Sequence, residues 1–253
     1  MGGKKSVIFA TLLLYIITGA NTYGQNFVFA TEGNYPPFEY VDSNNNLQGF
    51  DVEIARALCE QLKFNCSIVI QDWEGIIPGL LAHKYDAIIA SMGPTEERLK
   101  KVDFTNPYYR TRLAIAVRKE SDIKTLNIDE LVGKSIGALA GSVQALYAED
   151  HLWPQGVNMR FYPNADDANT DLTIGRTDAV IHDNFPLLDW LENDGKDCCR
   201  LLGFLEKTES PISIAIRKNE GDLKAKLNQA ILDIRKNGTY QKISQKYFGQ
   251  DIY

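Results

Sequence analysis

From Phe27 onward the chain alternates short apolar runs with segments whose apolar residues recur at helical spacing. "FVFAT" (27–31), "CSIVI" (66–70) and "YDAIIAS" (85–91) are rich in β-branched and aromatic residues and read as strands. "GFDVEIARALCEQLKF" (49–64) instead sets Val52, Ala55, Leu58 and Leu62 on one stripe. That spacing predicts an amphipathic helix, with Asp51 as its N-cap. "GIIPGLLAHK" (75–84) predicts a shorter helix. The same grammar returns later, with strands at "KSIGALA", "MRFYP" and "TDAVIHD" and helices at "SVQALYAED" and "ADDANTDLTIG". Strands alternating with helices predict parallel α/β layers.

One stretch repeats. "LLAHKYDAIIAS" (80–91) matches "LTIGRTDAVIHD" (172–183) at Leu80/Leu172, Lys84/Arg176, Asp86/Asp178, Ala87/Ala179, Ile88/Val180 and Ile89/Ile181. So long an offset excludes a solenoid and points to two α/β lobes of similar design. Ser91 and Asp183 then sit at equivalent strand ends. Ligands of open α/β sheets bind at such carboxyl ends, so both residues face a shared cleft.

The polar residues at these ends suit a small zwitterion. Arg98, after "SMGPTEER", offers a planar fork for a carboxylate. Gly141-Ser142 ends a strand and opens a helix, where free backbone N–H groups can receive an anion. Asp183 suits an ammonium. Tyr35 and Trp73 are aromatics placed to stack on a ligand or to fill core. Glu32, in "TEGNYPPFEY", is either a solvated turn residue or the partner of a second cation at the ligand's far end.

Composition narrows the classes. The chain carries a formal charge of −6, and loss of Lys4 and Lys5 with a leader makes it two units more negative. An acidic domain of this kind has no electrostatic reason to bind nucleic acid or anionic lipid. The leader is residues 1–24: two lysines, the apolar run "VIFATLLLYII", then small residues, the order of a signal peptide cleaved after Ala20 or Gly24. The alternative is a membrane anchor, for which the run is short. Export permits disulfides. Cys59 and Cys66 close a small loop between a helix and a strand, while the state of the adjacent Cys198 and Cys199 stays open. No nucleophile elbow, phosphate loop or zinc helix is present, His83, His151 and His182 are scattered, and no cofactor or metal is expected.

With these features in place, the chain resembles the periplasmic amino-acid-binding proteins of ABC transporters, solute-binding protein family 3, in particular the histidine and lysine/arginine/ornithine group. The stretches that carry the likeness include "YPPFEY", "LQGFDVEIARALCEQL", "TEERLKKVDFTNPYY", "GKSIGALAGS", "GRTDAVIHD" and "NGTYQKISQKYF". The resemblance implies a two-lobed, type II periplasmic-binding-protein-like α/β fold with a two-strand hinge. Residues 26–110 and 211–253 would form one lobe and 111–210 the other, with crossings near Arg110–Arg112 and Lys207–Pro211. It implies a ligand carboxylate on Arg98, Ser91 and the Ser142-Val143-Gln144 turn, an ammonium on Asp183, and a side chain against Tyr35 and Trp73. It also implies the Cys59–Cys66 disulfide, a basic side chain on Glu32, a monomer, a membrane permease as partner and no catalysis. Ala90, Gly93 and Val143 depart from that group by lacking hydroxyls, which leaves side-chain preference open. A periplasmic dehydratase acting on prephenate or arogenate, or a sensor acting through a separate chain, are the alternatives.

Overall fold

A computed structural model describes residues 25–253. The leader, with its cleavage site, lies outside the described residues. Along the chain, β1 (Asn26–Thr31) precedes a small antiparallel sheet of β2 (Asn34–Tyr35), β3 (Glu39–Val41) and β4 (Leu47–Gln48). Then come α1 (Phe50–Leu62), β5 (Asn65–Ile70), α2 (Trp73–Leu81), β6 (Ala87–Ile88), α3 (Glu96–Lys101) and the long β7 (Val102–Thr111). Past Arg112 follow β8 (Leu113–Arg118), α4 (Ile128–Leu131), β9 (Ser135–Leu139), α5 (Val143–Tyr147), β10 (Asn158–Tyr162), α6 (Ala165–Thr173), β11 (Ala179–Asp183), α7 (Asn184–Glu192) and β12 (Cys199–Phe204). The chain closes with β13 (Ser210–Arg217), α8 (Gly221–Lys236) and α9 (Thr239–Phe248).

These strands form two five-stranded sheets, ordered β5-β1-β6-β13-β7 and β10-β9-β11-β8-β12. In each, the first three strands run parallel and the fourth is antiparallel to the third. The two sheets are therefore two versions of one plan, and the fold is the two-lobed α/β architecture that the alternation of elements predicts.

The repeated stretch has a physical reason. Asp86 accepts a hydrogen bond from the Val28 N–H at 2.8 Å, and Asp178 accepts one from the Ser135 N–H at 2.8 Å. Each aspartate thus ties its helix–strand turn to the start of the neighbouring parallel strand. Arg217 donates to the carbonyls of Leu80 and Tyr85 at 3.2 and 2.6 Å, while Arg118 donates to those of Leu172 and Thr177 at 3.2 and 2.7 Å. Both arginines end the antiparallel strand beside the repeat, so the same carbonyls of the same turn are held twice.

Apolar burial follows the pattern. Val52, Ala55 and Leu58 face inward from α1 with no more than traces of exposure, and Phe38, Phe50, Tyr109 and Tyr240 pack around them as an aromatic cluster. The second lobe is centred on Leu113, Ile115, Ile136, Ala138 and Ile181. Helix α1 ends at Lys63 in the left-handed region, with the Phe64 N–H on the Cys59 carbonyl, and Cys59–Cys66 bridges the helix to β5. Cys198 and Cys199 are bonded to each other, which answers the pairing that the sequence leaves open.

Two local expectations fail. Asp51 does not cap α1; the cap position is Gly49, at φ 124, where a Cβ would lie 2.1 Å from the Phe38 carbonyl oxygen. Only glycine permits that approach, and Asp51, one turn-position further in, is fully buried. "YDAIIAS" is strand only over Ala87–Ile88, flanked by the Asp86 N–H on the Val28 carbonyl and the Ile89 N–H on that of Ala30, before Ser91 turns away at φ 49.

Arg217→Ala removes charged donors from two carbonyls and is expected to lower stability by about 2–3 kcal/mol, read as a shifted urea midpoint at unchanged slope. An unshifted midpoint would show that these turns hold themselves.

Candidate functional site

The carboxyl ends of β1, β6, β9 and β11 converge on one narrow cavity. Its walls include Glu32, Tyr35, Trp73, Ala90, Ser91, Gly93, Arg98, Ser142, Val143, Gln144 and Asp183, so every ligand-site residue that the sequence reading names lies there. Leu139, Ser210 and Ile212 complete the lining and escape that reading. Ser210 and Ile212 belong to β13, whose return to the first sheet carries no local motif.

Arg98 is buried although it is charged. Its placement starts from Thr95, which caps the short α3 by accepting from the Arg98 N–H at 3.2 Å. The guanidinium then donates to the Gly93 carbonyl at 2.7 Å and, across to the other lobe, to the Gly141 carbonyl at 2.9 Å. One face rests over the Trp73 ring at 5.0 Å, a cation–π contact. Burial draws its pKa down to about 10, which leaves it protonated at neutral pH. No carboxylate forms a salt bridge with it among the described residues.

Asp183 stands on the opposite lobe, at the end of β11, and is likewise buried. Its Oδ2 accepts from the Tyr35 hydroxyl at 2.9 Å, and Gln144 Nε2 donates to that hydroxyl at 3.3 Å. Burial pushes the carboxyl up to about 6 despite these hydrogen bonds and the attraction of Arg98. His182, its neighbour, turns to the other face, meets Asn169 Oδ1 at 3.0 Å and is held neutral by burial, its pKa down at about 4.

The far end of the cavity is acidic. Glu32 is 9% exposed, and burial together with the charges of Asp166 and Asp72 pushes its carboxyl up to about 7. Asp72 occupies the N-cap position of α2 and Asp166 the first turn of α6; both are exposed and act on Glu32 by charge from outside the cavity wall. No salt bridge joins Glu32, Asp72 or Asp166 to a basic side chain among the described residues.

The remaining wall shapes the space. Ser142 caps α5, accepting from the Ala145 N–H at 3.1 Å while donating to the Leu139 carbonyl at 2.6 Å. Its hydroxyl is thereby spent on the turn, and the Val143 and Gln144 N–H groups are the ones that a helix start leaves without an intrahelical acceptor. A Cβ on Gly93 would come within 3.3 Å of Val143 Cγ2 from the other lobe. The two departures from the resembled group are therefore complementary: the bare glycine makes room for the branched valine. Ser91 presents its hydroxyl from a left-handed backbone held by Asp51, a support the sequence reading missed because it spans forty positions.

The cavity thus carries a cation from one lobe, an anion from the other and an acidic far end. Comparison with known proteins agrees in kind. Residues 27–250 match the family model for bacterial extracellular solute-binding proteins, family 3. An L-arginine-binding protein of Pseudomonas aeruginosa is 40% identical over 88% of this chain and 87% of its own. The histidine-binding periplasmic protein of Escherichia coli strain K12 is 32% identical over 99% of both chains. Among solved structures, an ancestral arginine-binding protein bound to arginine superposes with a TM-score of 0.84 at 34% identity, covering 90% of this chain and all of that one. The chain belongs to the bacterial extracellular solute-binding proteins of family 3.

Proposed function

We propose that this protein captures a basic L-amino acid, arginine foremost, in the periplasm and hands it to the membrane permease of an ABC transporter. One observation carries the reading: Arg98 and Asp183 are opposite charges, buried on opposite lobes around one cavity, attracting each other across it, and neither forms a salt bridge among the described residues. An α-amino acid supplies both, its carboxylate to Arg98 with the Val143 and Gln144 N–H groups, its ammonium to Asp183 with the Ser91 hydroxyl oxygen, whose own proton goes to Asp51, as a neutral acceptor. Glu32, backed by Asp72 and Asp166, takes the cation of the side chain, and Tyr35 and Trp73 flank its apolar stem. The arginine- and histidine-binding relatives support the same ligand class.

The lobes we assign are residues 26–110 with 211–253, and 111–210. β7 runs to Thr111 and β13 begins at Ser210, paired in the first sheet, so each of these two boundary residues goes with the first lobe, one position beyond those bounds, which supports a hinge at Arg112 and Lys207–Glu209. The protein acts as a monomer, binds without turnover, and offers its closed form to the permease. Charged hydrogen bonds contribute about 1.5–3 kcal/mol each, so three or four of them meet the roughly 8 kcal/mol of a micromolar ligand after the entropy of immobilisation.

Two expectations follow from the charges. Truncating one partner of a buried ion pair costs about 3–5 kcal/mol, so Arg98→Ala and Asp183→Ala each drop arginine binding by more than about a hundredfold in calorimetric titration. Wild-type affinity in either variant would break the clamp. The second concerns pH. Ligand binding selects the ionised forms of Glu32 and Asp183, whose carboxyls stand at about 7 and about 6 in the ligand-free cavity. Arginine affinity is therefore level only from about pH 8 and weakens as pH falls below it, with protons released on binding. In Glu32→Gln the component near pH 7 disappears and the component near pH 6 stays. Superimposable profiles for the two proteins would make Glu32 a bystander.

A further inference from the structure

Beneath the cavity lie two carboxyl groups that the ligand clamp does not use, Glu39 on β3 and Asp51 on α1, both with no exposed surface. Their meeting is set by the backbone. Because Gly49 lets the Phe38 carbonyl approach, the Phe50 N–H donates to the Pro37 carbonyl and the Asp51 N–H to the Phe38 carbonyl, both at 2.9 Å. The segment bearing Glu39 is thus laid on the first turn of α1, and its carboxyl comes within hydrogen-bonding reach of Asp51.

Asp51 has one occupied oxygen. Its Oδ2 accepts from the Ser91 N–H at 2.6 Å and from Ser91 Oγ at 3.1 Å. Its Oδ1 and both oxygens of Glu39 are unpaired, and the Tyr108 hydroxyl, itself unpaired, lies beside Asp51 as a neutral donor, which leaves the Glu39 oxygens with none. The titratable groups that face the pair are Glu32 and the phenols of Tyr35, Tyr108, Tyr109 and Tyr240, and among the described residues no lysine or arginine accompanies them. Two adjoining carboxylates in such a place cannot both be ionised, and a proton between them turns two orphaned acceptors into a hydrogen bond. Burial and the Asp51 charge raise the Glu39 carboxyl far above its ordinary range, so Glu39 is the member that keeps the proton.

We propose that Glu39 and Asp51 share a single proton, and that the Asp51 carboxylate so supported holds Ser91 in its left-handed conformation for ligand contact. A serine at φ 49 needs such a tether, since a non-glycine residue gains nothing locally from that region. The pair is a positioning device: neither acid touches the ligand. The inference rests on the proposed reading of Ser91 as a ligand-site residue.

Infrared difference spectroscopy of wild type against Glu39→Gln, both arginine-bound at about pH 8, reads the proton directly. The expected spectrum shows the carbonyl stretch of a protonated carboxylic acid that is missing from Glu39→Gln. The glutamine amide still donates to Asp51, so that variant binds arginine within about threefold of wild type, whereas Asp51→Leu leaves the Ser91 N–H unpaired and loses about ten- to a hundredfold. Absence of the acid band in wild type, or undiminished affinity in a folded Asp51→Leu, overturns the proposal. Arg98→Ala separates the two readings: it loses arginine but keeps the acid band, measured without ligand. If no amino acid binds the wild type, the functional reading fails while the band still reports the pair.

Discussion

Charge burial without a partner is the constraint around which this molecule is arranged. Arg98 and Asp183 are taken out of water by opposite lobes, and each retains only neutral hydrogen-bond partners, the Gly93 and Gly141 carbonyls for one and the Tyr35 hydroxyl for the other. Glu32 adds a third buried charge and gathers further acids around it. Taken out of water, this arrangement is costly, as the upward displacement of Asp183 and Glu32 and the downward displacement of Arg98 record. A zwitterion with a cationic tail removes all three penalties at once. Affinity and closure then come from the same source, because matching the charges between the lobes stabilises their approach.

The scaffold serves that purpose by delivering strand ends with little freedom. Asp86 and Asp178 fasten the turns that precede β6 and β11, and Arg217 and Arg118 fasten the carbonyls of the same turns. Ser91 and Asp183 emerge from these two equivalent points. One design, used twice, therefore supplies a hydroxyl on one side and a carboxylate on the other. Their difference, not their similarity, gives the cavity its polarity.

Much of this is legible in the sequence because it is local. The stripe of Val52, Ala55 and Leu58, the repeated helix–turn–strand unit and the polar residues at strand ends each follow from period or position, and they point to the right faces of the right elements. What is not legible depends on contacts between distant segments. Asp51 has the spacing of a helix cap, yet Gly49 takes that place because the Phe38 carbonyl arrives from another part of the chain. The role of Asp51 is decided by Ser91 and Glu39. Ser210 and Ile212 join the cavity through the return of β13, and Asp166 joins Glu32 only when the lobes meet. Local pattern has no access to any of these. Gly93 and Val143 read as losses of hydroxyl groups, and only their contact reveals that they are one adjustment.

Whether the cavity clamps an amino acid with a cationic side chain is decided by calorimetric titration of protein unfolded and refolded to strip carried-over ligand, with arginine, lysine, ornithine, histidine and glutamine in turn. Arginine or another basic member is expected to bind at about micromolar or tighter and glutamine at least about a hundredfold weaker, the difference being the charge that Glu32 receives. Glutamine binding as tightly as any basic amino acid would contradict it.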